Sequence, residues 1–321
     1  MEFNILKAAD LGQIPDSVSE ANNFLPKDIS AKIVEEIVAA NIMRQYVQRI
    51  TVANRSMSIP RVNYGDTVNA YKIGYGTDVR TDRSETTFSS KATVLEPQLL
   101  AAFTNILEVD LDTAGLDLSN YIRKSLALTL ARAEERGMLI GVKGSGTGYA
   151  TMYDGVYTIA AGAGCATAPQ EYVDEDSLVD KISDGIKAMG VYGEDRGQLV
   201  LIASNSFANK LRKDEKIQQV GTYNVAELGV TRSGTLPLIH GVKVVESSVL
   251  ETQEEGECAV LMRTDGGVLG ERGQILFRKK PIEEAFMMLL IMAEVIDFKW
   301  SLYNTADDAT GLCLIHKAVI S

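Results

Sequence analysis

A chain of 321 residues with 45% hydrophobic and 23% charged side chains has room for about two domains of roughly 150 residues and excludes the disordered, collagen-like and low-complexity classes. Its 32 Lys and Arg against 43 Asp and Glu leave a formal charge of -11, which argues against a protein whose main work is to wrap a phosphate backbone. Three scattered cysteines, Cys165, Cys258 and Cys313, fit neither a paired disulfide framework nor a C-x-x-C metal site and point to a reducing compartment. The opening residues Met1 to Lys7 lack the basic start and apolar core of a signal peptide, so nothing there marks the chain for export. The most apolar run, Ala285 to Ala293, is well short of the roughly 20 residues that span a bilayer and reads as a buried strand.

Residues 1–26 mix Pro15, Asn22, Asn23 and Pro26 with scattered apolar residues and read as an arm that lies on another surface. Ile29, Ile33 and Ile37, with Val34 and Val38, then recur every fourth residue and predict a helix over 28–42. From Thr51 to Pro97 the period changes to two. Met57, Ile59 and Val62 lead in and Phe88 and Ala92 lead out, giving two strands around a hydrophilic middle, 63–85, too poor in apolar residues to build a core. Between Arg55 and Leu95 stand Arg55, Arg61, Lys72, Arg80, Arg83 and Lys91 against Asp66, Asp78, Asp82 and Glu85, a net of +2 on an acidic chain. A two-stranded ribbon of this length is marginal alone in water, so it must lie on its own body or on a neighbour.

Leu118, Ile122, Leu126 and Leu130 predict a long helix over 117–140 stopped by Gly141, with Arg123, Lys124, Arg132, Glu134, Glu135 and Arg136 assigned to its wet face. Beyond a glycine-rich turn at Gly144 to Gly148, an α+β module follows: a helix through Leu178, Ile182, Ile186 and Met189, a strand over 198–203, a helix over 206–213 and a strand over 241–246. Strand-like stretches at 273–278, 282–300 and 312–320 close the chain.

No constellation for chemistry emerges. The glycines at 144, 146 and 148 follow a helix and lack a Gly-Lys-Ser/Thr ending, which favours an interdomain link over a phosphate loop. The two histidines, His240 and His316, have no carboxylate or cysteine partners at useful spacing and read as structural. The adjacent pairs Glu134-Glu135, Glu254-Glu255 and Asp307-Asp308 point to different sides of their elements and read as solvated faces. Met287, Met288 and Met292 read as core filler, and Trp300 near Tyr303 lacks the basic surround of a base-stacking platform. Catalytic, cofactor and metal residues are therefore assigned as none. A projecting ribbon, an arm and no catalytic set point to assembly.

The order of parts carries a resemblance. An arm, a helix, a ribbon ending in Phe88-Ser-Ser-Lys-Ala-Thr-Val-Leu-Glu-Pro-Gln-Leu-Leu100, a long helix ending in Ala133-Glu-Glu-Arg-Gly-Met-Leu-Ile-Gly141 and a turn into Tyr153-Asp-Gly-Val156 resemble the major capsid proteins of tailed bacteriophages with the Hong Kong ninety-seven fold. Gln198-Leu-Val-Leu-Ile-Ala203 and Leu238-Ile-His-Gly-Val-Lys-Val-Val245 extend the likeness to nearly the whole chain. The resemblance implies an α+β fold with residues 1–56 as arm and first helix and 57–98 as an extended loop over an adjacent subunit. It implies a peripheral domain from 99–154 and 272–310, built on the long helix as spine, and an axial domain from 155–271 and 311–321. It further implies a non-enzymatic virion protein, assembled in the host cytoplasm into pentamers and hexamers of an icosahedral shell. That shell encloses double-stranded DNA without reading its sequence, needs no cofactor or membrane, and has portal, scaffolding and decoration proteins as further partners. Lys72, Arg80, Arg83 and Lys91 are the candidate inter-subunit contacts. A covalent link from Lys72 or Lys91 to Asn304 finds no support in spacing. The short N-terminal stretch leaves no room for a long cleaved scaffolding segment. The alternatives are an encapsulin-like compartment shell and, in a different class, an enzyme with its site in the α+β module.

Overall fold

In a computed structural model of the protein, residues 41–60, 92–107, 118–144, 151–214, 216–217, 236, 238–253, 256–282, 286–303 and 308–318 are described. The helix expected over 28–42 lies outside them except for Asn41 and Ile42, which lead into a single 3-10 turn, Met43–Gln45.

The ribbon has the two flanking strands expected of it. Strands β2 (Met57–Pro60) and β3 (Ala92–Leu95) pair antiparallel from Met57 opposite Leu95 to Pro60 opposite Ala92. Its hydrophilic middle lies outside the described residues.

A first sheet is organised around the longest strand, β11 (Met287–Trp300). Strand β4 (Gln98–Leu107) runs antiparallel along one side, from Leu107 opposite Met287 to Gln98 opposite Ile296. On the other side β10 (Leu276–Ile282) and β9 (Gly267–Glu271) follow one another, both antiparallel to β11, and β1 (Gln48–Thr51) adds in parallel outside β9. Of these strands, β10 and β11 are legible in the sequence, and β1, β4 and β9 are not. Glycines at 267 and 270 dilute the strand signal in β9. Gly267–Glu271 thereby belongs to this sheet.

Helix α1 (Leu118–Ile140) lies across β4 and β11. Its buried side runs Leu126-Ala127, Leu130-Ala131, Glu134-Glu135 and Met138-Leu139, paired residues recurring at spacing four as one helix face requires. Fully burying a leucine such as Leu130 is worth roughly 1.5–3 kcal/mol. The even residues of β11 share this core: Leu290, Met292, Ile296, Phe298 and Trp300 are each no more than 1% exposed. Glu294 interrupts that row as its one charged member.

A second sheet has the order β5 (Gln170–Tyr172), β12 (Leu312–Lys317), β8 (Cys258–Arg263), β6 (Leu199–Ala203) and β7 (Lys243–Glu246), with parallel pairs at both edges. Every residue of β6 and β8 is buried. Helices α2 (Val156–Ala161) and α3 (Leu178–Ala188) both pack on β8 and β12. Continuous apolar strands covered on both faces explain why Leu199–Ala203 reads as an unbroken hydrophobic run. Helix α4 (Asn205–Lys213) starts where Ser204 Oγ accepts the Phe207 N–H at 3.1 Å, a side-chain N-cap.

Among the described residues no helix is long and apolar enough to cross a membrane. Cys258 and Cys313 are buried, Cys165 is half-buried, and burial pushes the Cys313 thiol up to about 12.

Candidate functional site

The segment leading out of residues 1–40 and the base of the ribbon meet the body at one corner of the first sheet, on opposite faces of β9 and β11.

On the α1 face the anchor is Arg44, which is 5% exposed. Its Nε donates to both carboxylate oxygens of Glu134 on α1 at 2.8 Å. Its Nη1 donates to Glu271 Oε1 on β9 at 2.9 Å and its Nη2 to Glu294 Oε2 on β11 at 2.8 Å. One guanidinium thus joins a turn, a helix and two strands. Burial pulls the Arg44 guanidinium down, but the charges of Glu134, Glu294 and Glu271 more than reverse this and leave it raised. Burial pushes Glu134 up, opposed by its two-point contact with Arg44, and pushes Glu294 up to about 8 with the Glu134 charge adding to the effect.

Three further contacts hold the same segment. Asn41 Oδ1 accepts the Arg44 backbone N–H at 3.3 Å. The Lys243 ammonium stands 5.3 Å from the centroid of the Tyr46 ring, within cation–π range. Glu135 accepts from Ser247 Oγ at 2.7 Å and from the Ile42 backbone, so it ties α1 to the chain just after β7 and to the incoming segment at once. The expectation that Glu134 and Glu135 form a solvated face is therefore corrected: they are 0% and 5% exposed. They do diverge, as neighbours on a helix must, but into two buried contacts. The signal was in the sequence. Glu134 continues the spacing of Leu126 and Leu130, which places it on the apolar stripe.

On the opposite face sits the root of the ribbon. Leu95, Val52 and Val268 are 0%, 1% and 3% exposed and form a small core of their own, flanked by Ile50 and Ile59. Gly270 permits it: a Cβ there would come within 2.9 Å of Leu95 Cδ1 and 3.1 Å of Val52 Cγ2. The first residue out of β3, Glu96, donates its backbone N–H to Asp297 Oδ2 at 2.8 Å.

The four candidate contacts read from the sequence, Lys72, Arg80, Arg83 and Lys91, all lie outside the described residues, as does Asn304. The glycine-rich turn is described only at its base, where Gly144 N–H donates to Thr151 O at 3.1 Å and Lys143 N–H to Asp154 Oδ1 at 2.8 Å. His240 occupies a two-residue turn between Ile239 and Val242 at φ 51°, and His316 is half-buried in β12. Trp300 is 1% exposed and its Nε1–H donates to Thr310 O at 2.9 Å, a core role. Among the described residues no group of three His, Cys, Asp or Glu is placed to hold a metal ion.

A sequence profile described as "Phage capsid family" matches residues 21–279. A comparison with curated protein sequences gives no match. Solved structures similar along the whole chain include one from Microbacterium phage Oxtober96, with 15% identity over 97% of this chain and 98% of that one and a TM-score of 0.62. The capsid of a native GTA particle is similar at 17% identity over 99% and 100% of the two chains, with a TM-score of 0.61. The mature capsid of bacteriophage PhiM1 follows at 14% identity over 100% and 93%, with a TM-score of 0.58. At such identities the likeness is one of fold.

Proposed function

The chain belongs to the phage capsid family and is a major capsid protein of the Hong Kong ninety-seven fold, and we propose that its copies close an icosahedral shell by laying the ribbon of each subunit over a neighbour. The observation that carries this reading is the contrast within the ribbon. Its root is locked into its own body by Leu95, Val52, Val268 and the bond from Glu96 to Asp297. The stretch beyond the root, 61–91, by contrast, has too few apolar residues to build a core and carries five basic side chains against four acidic ones, close to neutral on an acidic chain. A fixed base with a polar extension that lacks the body's negative charge suits a contact made outside the subunit.

In this reading the first sheet with α1 is the peripheral domain and α1 its spine, while the second sheet with α2, α3 and α4 is the axial domain that surrounds the centres of pentamers and hexamers. The protein acts by assembly and not by catalysis. It is built into the virion from subunits made in the host cytoplasm, alongside portal, scaffolding and decoration proteins, and encloses double-stranded DNA without sequence-specific contacts. Lys72, Arg80, Arg83 and Lys91 are the ribbon charges we assign to the neighbour.

Replacing residues 65–86 with a short Gly-Ser linker tests this. The body is expected to keep its circular dichroism and cooperative melting while shells no longer form. Loss of folding on replacement would place the ribbon on its own body and overturn the inter-subunit role.

A further inference from the structure

One cation, Arg44, is enclosed with three carboxylates. Glu134 and Glu294 are 0% and 5% exposed, and ionised carboxylates in such surroundings are costly unless each is fully paired, so a surplus one takes up a proton. The contacts decide which. Glu134 receives Arg44 Nε on both oxygens at 2.8 Å, and the Glu271 side chain keeps 31% of its surface in solvent. Glu294 gives one oxygen to Arg44 Nη2, while its other oxygen, Oε1, is buried without a hydrogen-bond partner. The charged and titratable groups around it are Arg44 from the 3-10 turn, Glu134 from α1, Glu271 from β9 and Tyr153 from the segment after α1. Arg272, whose backbone N–H donates to Val295 O at 2.8 Å, stands between β9 and β10, and β4 sets the apolar Leu100 opposite Glu294.

We propose that Arg44, Glu134, Glu271 and Glu294 form a proton-held latch: with a proton on Glu294 the cluster clamps the Asn41 to Val47 segment onto α1 and β11, and without that proton the segment lets go. This segment is the first described stretch of the chain, so the latch governs how firmly the chain is held on the body at Asn41 to Val47. The latch belongs to the subunit whatever it assembles into, and its failure would leave the shell reading untouched.

The sign follows from linkage. Closing moves Glu294 from the ordinary value of 4.5 to about 8, so the closed state binds a proton that the open state lacks between those values. The clamp is complete at the acid end, weakens by up to about tenfold per pH unit as pH rises toward 8, and has no further dependence on this group above it.

Hydrogen exchange of the full chain, followed by mass spectrometry between pH 5 and 9 and corrected for intrinsic rates, tests the latch. Peptides covering 41–47 are expected to lose protection by about tenfold per pH unit up to pH 8 and then level off, while peptides from the fully buried strand β8 do not follow. Glu294→Gln, neutral at every pH, is expected to hold the segment closed and to lose that slope. A flat wild-type profile, or the same slope in Glu294→Gln, overturns the proposal. Should the variant not fold, infrared spectroscopy of wild-type protein labelled at its glutamates gives the second arm. A protonated carboxyl band at neutral pH that fades toward pH 9 supports the latch, and absence of that band at neutral pH overturns it.

Discussion

Glu294 and Asp297 stand three residues apart on β11 and therefore point to opposite faces of the first sheet. Glu294 holds Arg44 at the exit of the N-terminal stretch, with Nη2 to Oε2 at 2.8 Å, and Asp297 holds the backbone of Glu96 at the root of the ribbon, also at 2.8 Å. Glu271 and Gly270, adjacent on β9, divide in the same way: Glu271 meets Arg44 and Gly270 makes room for Leu95. Two short stretches of strand thus fix both the Asn41 to Val47 segment and the root of the ribbon. Each can be loosened separately by substitution.

Asp297→Ala removes the acceptor for the Glu96 N–H while leaving Arg44 untouched. Asp297 is 4% exposed, and an unpaired donor left in such a place costs about 1–3 kcal/mol. Denaturant unfolding should report a loss of that size, with Asp297→Asn retaining most of the stability because its carbonyl still accepts. Exchange at Glu96 should rise in the alanine variant more than exchange at the Arg44 segment.

A second electrostatic cluster lies on the second sheet. Lys210 reaches Asp174 at 3.0 Å and Glu257 at 2.6 Å, and Lys317 reaches the same two acids at 2.8 Å and 3.1 Å, a closed ring of alternating charge. Hydrogen bonds from Lys317 and Lys210 hold Asp174 below the usual carboxylate range. Glu257, opposed by some burial, is lowered by the same two lysines. Both folded values are depressed, so the ring's contribution is present above the ordinary carboxylate values and is lost as pH falls through the lowered ones. Because the ring is largely exposed its effect is small and screened by salt. Melting temperature measured below pH 5 should fall less steeply in Lys317→Met than in wild type, and high salt should narrow that difference. Parallel pH profiles at low salt would count against the ring.

For the ribbon charges, the expectation is kinetic. An exposed ion pair is worth about 0–1 kcal/mol, yet a closed shell repeats each contact in every subunit. Arg80→Glu with Arg83→Glu should slow or block assembly followed by light scattering at low salt, leave the subunit's melting temperature nearly unchanged, and be partly rescued by added salt, since screening acts over roughly 8–10 Å near physiological strength. Unaltered kinetics at both salt levels would falsify the steering role and reduce these charges to solubility.

Periodicity made most of the long elements legible, the ten-residue strand β4 excepted. Leu118, Ile122, Leu126 and Leu130 gave α1 to within one residue at its start, and the alternation at Met57 to Ile59 and at Ala92 marked both ribbon strands. The unbroken apolar run of 199–203 gave β6. Short strands without a period were lost: β1, Gln-Arg-Ile-Thr, has an exposed, exposed, half-buried, exposed pattern, since it is an edge strand ordered by its partner β9. The Arg44 anchor was also lost, because its members stand at 44, 134, 271 and 294 and only the fold brings them together. Two of them nevertheless broke a local rule. Glu134 sits on an apolar helix stripe and Glu294 inside an apolar strand, and an acid in either place demands a buried partner. Arg44 itself, just beyond the end of the expected helix and followed by Gln45, carried no such mark.

The most direct test of the central claim is electron microscopy of the full chain after expression and purification, with its mass in solution measured on the same sample. Closed shells, or tubes and capsomers built from the subunit, are expected. A stable monomer of 34.9 kDa at every concentration, with no assembled particles in the images, would contradict the account.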